Sequence, residues 1–414
     1  MGSQTWRKDK IKHLENRKTM KSIKIDNIAT YLFLAAIVIY FSQGSLYANG
    51  SIISQGTMAL WMLINLSYLI KYASKFNLLF IEKIIFWFWF INSCYWFFSD
   101  KVLLSAWYEP LSTMNNFKSI FCTLLTYFPV RYFTRLYILT EKHLSVFAAI
   151  MLIAFILSYL SFEARMMYEL NRDAITNNMG YRFVALLPLL AIFRNIKFTY
   201  TSILIASYFV IMSSKRGAIL CCALFIFLLL YYSFKNIPRN KKVLYSILIL
   251  GVFSVSVYYL IDIFMSNEYL ITRLTNMEAG VDDSGNARVN QVSAIINYTT
   301  NGSIFNFLFG YGFDKSVMIA GNYAHNDWAE LLANLGALGC VLYLIFFISL
   351  ISIFTKNKLL LSPMQKLMFV SILGCWLLVS MFSMGYTSNN SFLYTMVIAY
   401  LVSYIEKQKK ICQK

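Results

Sequence analysis

Apolar residues along this chain gather into long blocks separated by short polar links, without the strict alternation of half-buried strands. The blocks cover residues 28–41, 58–70, 78–98, 119–138, 144–160, 181–193, 198–213, 217–234, 243–264, 328–354, 364–384 and 391–404. Each approaches the roughly 20 residues that a bilayer-spanning helix needs, or falls somewhat short. The pattern predicts an all-α polytopic membrane protein with about 12 transmembrane helices. One link is not short. Residues 265–326 form a single large hydrophilic loop with no counterpart in the first half of the chain. The expected organisation is a basic N-terminal tail at 1–27, one transmembrane domain at 28–404 that includes the loop 265–326, and a C-terminal tail at 405–414. No signal-peptide cleavage site precedes the first block, which should therefore remain as an anchor.

Composition agrees with this reading. The chain is 58% hydrophobic and 17% aromatic, with a mean hydropathy of +0.57, too apolar for a soluble domain of this length. Charge then adds a direction. Cytoplasmic loops retain Lys and Arg, and here alternate connections carry the cations: Lys71 and Lys75, then Arg131, Arg135 and Lys142, then Arg194 and Lys197, then Lys235, Arg239, Lys241 and Lys242, then Lys356, Lys358 and Lys366. Both tails are basic as well. The other connections hold Asp100, Glu109, Glu163, Glu169, Asp173, Glu268, Glu278, Asp282, Asp283 and Asp314. Both termini are expected to be cytoplasmic and the large loop extracytoplasmic. The net charge of +18 is thus a topology signal and predicts no nucleic-acid partner, because the cations edge the spans and form no groove. The basic N-terminal tail is placed to touch anionic membrane lipids.

Candidate chemistry lies at the outer face. Ser213-Ser214-Lys215-Arg216-Gly217 is a very short connection that brings two cations to the membrane surface. Snorkelling side chains are one reading. An anion clamp is the other, since a guanidinium fork holds two phosphate oxygens at once. In the loop, Arg273 and Arg288 add guanidinium groups, with Arg288 following the turn-prone Asp282-Asp283-Ser284-Gly285-Asn286 near an expected helix N-terminus. A simple pairing of Arg288 with Asp282 or Asp283 is equally open. Leu308-Phe309-Gly310-Tyr311-Gly312-Phe313 reads as a backbone shape element and lacks the third glycine of a dinucleotide fingerprint. His325 precedes a helix with small residues at Ala329, Ala333, Gly336 and Gly339, and on helical spacing shares a face with Ala329 and Leu332. A neutral imidazole there accepts a proton, with Asp327 or Glu330 raising its basicity; a capping or buried hydrogen-bonded histidine is the alternative. The three histidines and seven cysteines form no metal-ligand cluster, and Asp282-Asp283 is the best argument for a metal.

Taken in order, the Arg216 connection, Ser284-Gly285-Asn286-Ala287-Arg288, Phe309-Gly310-Tyr311-Gly312 and His325-Asn326-Asp327 resemble the O-antigen polymerase (Wzy) and O-antigen ligase superfamily. The resemblance implies a GT-C-like glycosyltransferase of the bacterial inner membrane, with its active site facing the periplasm. It implies an undecaprenyl diphosphate-linked donor and no cofactor or metal. His325, Arg216 and Arg288 would be the catalytic residues. Lys215, Arg216, Arg273, Arg288 and Asp327 would bind substrate. The implied partners are lipid-linked oligosaccharides as donor and acceptor, and a chain-length regulator protein.

The form His325-Asn326-Asp327-Trp328 favours a polymerase of O-antigen or capsular polysaccharide, which extends a second lipid-linked repeat unit. The alternative is a ligase that transfers the glycan to lipid A-core. A transporter or flippase is the reading from a different class. The aromatic run at residues 85–90 is expected to line an opening for the lipid tail, or simply to face lipid.

Overall fold

The computed structural model describes residues 24–43, 51–104, 110–170, 177–235 and 283–413. Arg273, the expected span 243–264 and loop residues 265–282 lie outside the described residues, as do Glu109 and Asp173.

The apolar blocks become helices: α1 Lys24–Ser42, α2 Ile52–Lys75, α3 Phe80–Phe98, α4 Met114–Leu125, α5 Tyr127–Arg135, α6 Glu141–Leu170, α7 Gly180–Leu190, α8 Ile196–Met212 and α9 Arg216–Lys235. The described part of the large loop is itself helical, as α10 Asp283–Thr300, α11 Ile304–Phe309 and α12 Ser316–Ala320. Then follow α13 Asp327–Asn357, α14 Pro363–Phe382 and α15 Phe392–Cys412. Six of the described helices are long and apolar enough to cross a membrane, namely α1, α2, α6, α9, α13 and α14; α7 and α8 are apolar but shorter.

Local chemistry sets several boundaries. Ser362 and Gln365 form a capping box ahead of α14, with Pro363 in its first turn. Ser51 caps α2 and Asn195 caps α8 through side-chain oxygens that accept backbone N–H groups.

Three expectations change. The block 119–138 is not one helix but two, α4 and α5, which meet at Thr126. That residue's hydroxyl is drawn into the core, where it accepts the Trp61 indole N–H at 2.9 Å. Within the helical fold, Val102–Leu104 and Pro110–Ser112 form a short antiparallel hairpin, β1 and β2. Helix α1 already starts at Lys24, and α15 runs on to Cys412, so helical structure extends into both regions expected to be tails. Arg131 and Arg135, read as loop cations, instead belong to an ionic network. Arg131 is fully buried, with Nε 2.9 Å from Glu82 and Nη2 2.7 Å from Glu406, while Arg135 also meets Glu406 at 3.0 Å. Partners of this kind offset the cost of burying charge.

That network fixes one end of the bundle. Asp26 at the start of α1 accepts from Tyr68, Lys71 and Tyr132 at the same end. The starts of α7, α9 and α15 and the end of α14 lie at the opposite end, where a cavity opens. The beginning of α1 and the end of α15 therefore share one end, and α10 to α12 belong to the other.

Candidate active site

A sharp backbone turn delivers the first pair of cations. Ser214 adopts a left-handed φ of 53° between α8 and α9, and the Ser213 carbonyl accepts the Asn177 N–H at 2.9 Å. Such a conformation costs a non-glycine residue about 1–2 kcal/mol, offset by the packing that surrounds it. Gly180 and Gly217 allow the approach: a Cβ on the first would collide with the Ser213 side chain, and one on the second with the Tyr181 hydroxyl. Lys215 and Arg216 then stand at the start of α9.

The second element is a break in α13. Gly336 has a non-helical φ of 68° inside this helix, so carbonyls just before it lose their axial partners. The turn after α11 takes their place. Tyr311 N–H reaches the Ala333 carbonyl at 2.8 Å and Gly312 N–H reaches the Asn334 carbonyl at 3.1 Å. The fit is backbone against backbone: a Cβ on Gly310 would lie 2.5 Å from the Asn334 carbonyl. The two-glycine motif is thus a plug in the broken helix, which ties the loop to the bundle.

Third comes the segment that carries His325. Glu330 accepts from the Ala324 N–H and the Ser316 hydroxyl, while Asp314 accepts from the Asn116 amide at 3.0 and 3.1 Å. These contacts bend the chain so that His325 adopts φ 52°, ahead of the helix. The expected helical face shared with Ala329 and Leu332 does not form, because Asn326 is the N-cap. Its side chain accepts from Trp328 and Ala329 N–H at 3.0 and 3.1 Å and donates to the Met381 carbonyl at 3.1 Å.

The turn before α9 and the His325 segment meet α10 at a cavity of about 670 Å³ lined by Lys215, Arg216, Arg288 and His325. Four of the expected site residues, from segments up to 110 positions apart, thus share one space. Asp327 does not reach it. The side chain is fully buried, accepting from the Tyr343 hydroxyl at 2.8 Å and from Gly385 and Tyr386 N–H at 2.8 and 3.2 Å. Asp327 therefore pins the link between α14 and α15 to α13. Replacing it with leucine should leave these donors buried without a partner, at about 1–3 kcal/mol each. Thermal unfolding in detergent should show a clearly lowered midpoint; an unchanged midpoint would deny Asp327 this role.

That pinned link supplies a wall that the sequence reading missed. Ser383, Thr387, Ser388 and Asn390 line the cavity with Asn116, Asn178, Tyr181 and Tyr394. The polar run from Ser383 to Ser391 between two apolar helices was the available signal. The apolar side of the cavity comes from Leu220, Val379 and Phe382. The aromatic run at 85–90 does not line it; Phe88 packs instead against Tyr343 and Tyr386.

Electrostatics give the cavity its sign. Among the described residues no Asp or Glu lines it, and its charged side chains are cations. Burial, then the positive charges of Arg288 and Lys215, lower the His325 pKa to about 4. Raised basicity from Asp327 or Glu330 was expected, but both carboxylates are committed to other donors. The imidazole is therefore neutral at ordinary pH and able to accept a proton, in a space whose charged lining is cationic.

All four converging residues fall within one family-related segment. Residues 201–344 match the family model Wzy_C, O-antigen ligase. This Wzy_C segment runs from α8 through the plugged break in α13, and so contains Lys215, Arg216, Arg288 and His325. The match agrees with the resemblance to the O-antigen polymerase and ligase superfamily, whose Wzy_C members are glycosyltransferase-like enzymes. A comparison with curated proteins finds no match.

Proposed function

We propose that the cavity is the active site of a membrane glycosyltransferase that takes a glycan from a polyprenyl diphosphate. The observation that carries this reading is the convergence of Lys215, Arg216 and Arg288 with a neutral His325 in one cavity free of described carboxylates. In the reaction, the bond between the anomeric carbon and the diphosphate oxygen breaks. A bond from the acceptor hydroxyl oxygen to that carbon forms. His325 accepts the hydroxyl proton. Negative charge grows on the departing diphosphate, where preorganised guanidinium groups stabilise it more in the transition state than in the ground state. A cluster of cations repels a divalent ion and supplies the charge such an ion would bring, which supports a metal-independent reaction. Leu220, Val379 and Phe382 give the polyprenyl chain an apolar path toward lipid.

In this proposal the chain crosses the membrane about 12 times. Both termini are cytoplasmic and α10 to α12 periplasmic, with the cavity at the periplasmic face. The acceptor is a second lipid-linked repeat unit, which makes the enzyme a polymerase. A ligase acting on lipid A-core is the second reading, favoured by the description of the matching family. Purified protein given only an undecaprenyl diphosphate-linked repeat unit should produce a ladder on a gel, undiminished by EDTA. Transfer that begins only when lipid A-core is added would make it a ligase. Loss of the ladder to EDTA and its return with a divalent ion would overturn metal independence. Movement of the substrate across the membrane without any new glycosidic bond would overturn the enzyme.

The lowered His325 pKa fixes a pH dependence. A base of pKa about 4 stays deprotonated as pH falls to that value, so the acid limb of kcat/KM should lie near pH 4 and not near 6.5. Lys215→Gln removes one positive neighbour, favours the protonated imidazole and should move the limb to higher pH. A limb near 6.5 in the wild type, unmoved in Lys215→Gln, would separate His325 from the rate.

A further inference from the structure

A second cavity of about 280 Å³ adjoins the first, and Asn116, Thr387 and Ser388 line both. This volume is close to the low end of those that hold small organic ligands. Its walls are mainly polar. Gln55, Asn115, Ser119 and Asn389 offer amide and hydroxyl groups, and Lys118 and Arg182 supply charge. Among the described residues no Asp or Glu lines it.

Arg182 decides what the cavity suits. The Arg182 Nη1 atom is buried with no hydrogen-bond partner, and its guanidinium lies 5.2 Å from the centre of the Phe41 ring. Among the described residues it has no ion pair. The contrast with Arg131 is instructive, because that buried arginine meets two carboxylates. A buried N–H of a charged group without an acceptor is costly unless something from outside completes it. An anion that also carries hydroxyl groups would complete Arg182 and suit the amides and hydroxyls nearby.

On the reading that the larger cavity handles a lipid-linked glycan, we propose that the smaller one is an acidic-sugar subsite. Arg182 and Lys118 receive the carboxylate of a uronic acid residue in the glycan, and the flanking Asn, Gln and Ser side chains receive its hydroxyls. The shared wall places this sugar next to the reacting unit. The diphosphate has its own cations in the larger cavity, which leaves the smaller one to the sugar carboxylate.

Binding tests this without any turnover, so its outcome is independent of whether transfer occurs. Full-length protein in nanodiscs would be probed by saturation-transfer NMR with galacturonic acid, galactose and inorganic phosphate. Galacturonic acid should bind better than galactose, and Arg182→Gln should weaken it about tenfold or more, the scale of one lost charge-assisted hydrogen bond. Lys118 is half-buried, and Lys118→Gln should weaken binding in the same direction, which guards against misfolding in the Arg182 variant. Arg216→Ala, which alters the larger cavity, should retain binding. Equal binding of galactose, or binding that survives both Arg182→Gln and Lys118→Gln, would overturn the proposal. So would loss only in Arg216→Ala. Phosphate that displaces galacturonic acid from wild type and itself requires Arg182 would mark a phosphate site and overturn the sugar assignment.

Discussion

His325→Gln should lower glycan transfer by about 10²–10⁴-fold, the usual contribution of a positioned general base. Glutamine keeps the polarity of imidazole but cannot accept a proton at the acceptor hydroxyl. Because His325 stands ahead of α13 in a left-handed turn, and the helix start is held by Asn326 and Asp327, the substitution should not disturb the fold. The loss is therefore expected in kcat, with donor binding and thermal midpoint near wild type. Donor binding by isothermal titration, beside single-turnover rates, checks both halves. Wild-type turnover in His325→Gln would remove the base from the mechanism. A lowered midpoint with lost donor binding would instead give His325 a structural task.

Arg216→Ala and Arg288→Ala should each reduce kcat/KM for a polyprenyl diphosphate donor by about 10²–10³-fold, comparable with loss of one preorganised group that stabilises developing charge. Each residue comes from a different segment, α9 and α10, and both side chains line the same cavity. The conservative change discriminates a clamp from a general positive field. Arg→Lys keeps the charge but gives up the planar fork that holds two oxygens together, so Arg216→Lys should recover only part of the lost rate. Full recovery would reduce Arg216 to a point charge. Little loss in either alanine variant would leave the diphosphate without its proposed site. Effects of the two substitutions should not add, since both act on one group.

The sequence by itself determined the helical architecture, because blocks of apolar residues long enough for a bilayer leave a chain few alternatives to helices. It also marked Lys215, Arg216, Arg288 and His325 as candidates, together with Arg273 and Asp327, because cations and an imidazole gathered at the outer face suit an anionic substrate and the motifs resemble one superfamily. Only the tertiary structure decided which of these share a space. Asp327 stands two positions from His325 and looked equally available, yet the Tyr343 hydroxyl and two backbone donors from the link between α14 and α15 turn it inward. No local pattern announces those partners. The break at Gly336 is hidden in the same way, because a glycine in an apolar helix reads as a packing residue until the Gly310 turn fills the gap. The sign of the His325 shift followed too, from burial and from cations brought near it by folding. Periodicity records which residues avoid water, and so it reports elements. A site depends on contacts between distant segments, whose chemistry is set only when the helices pack.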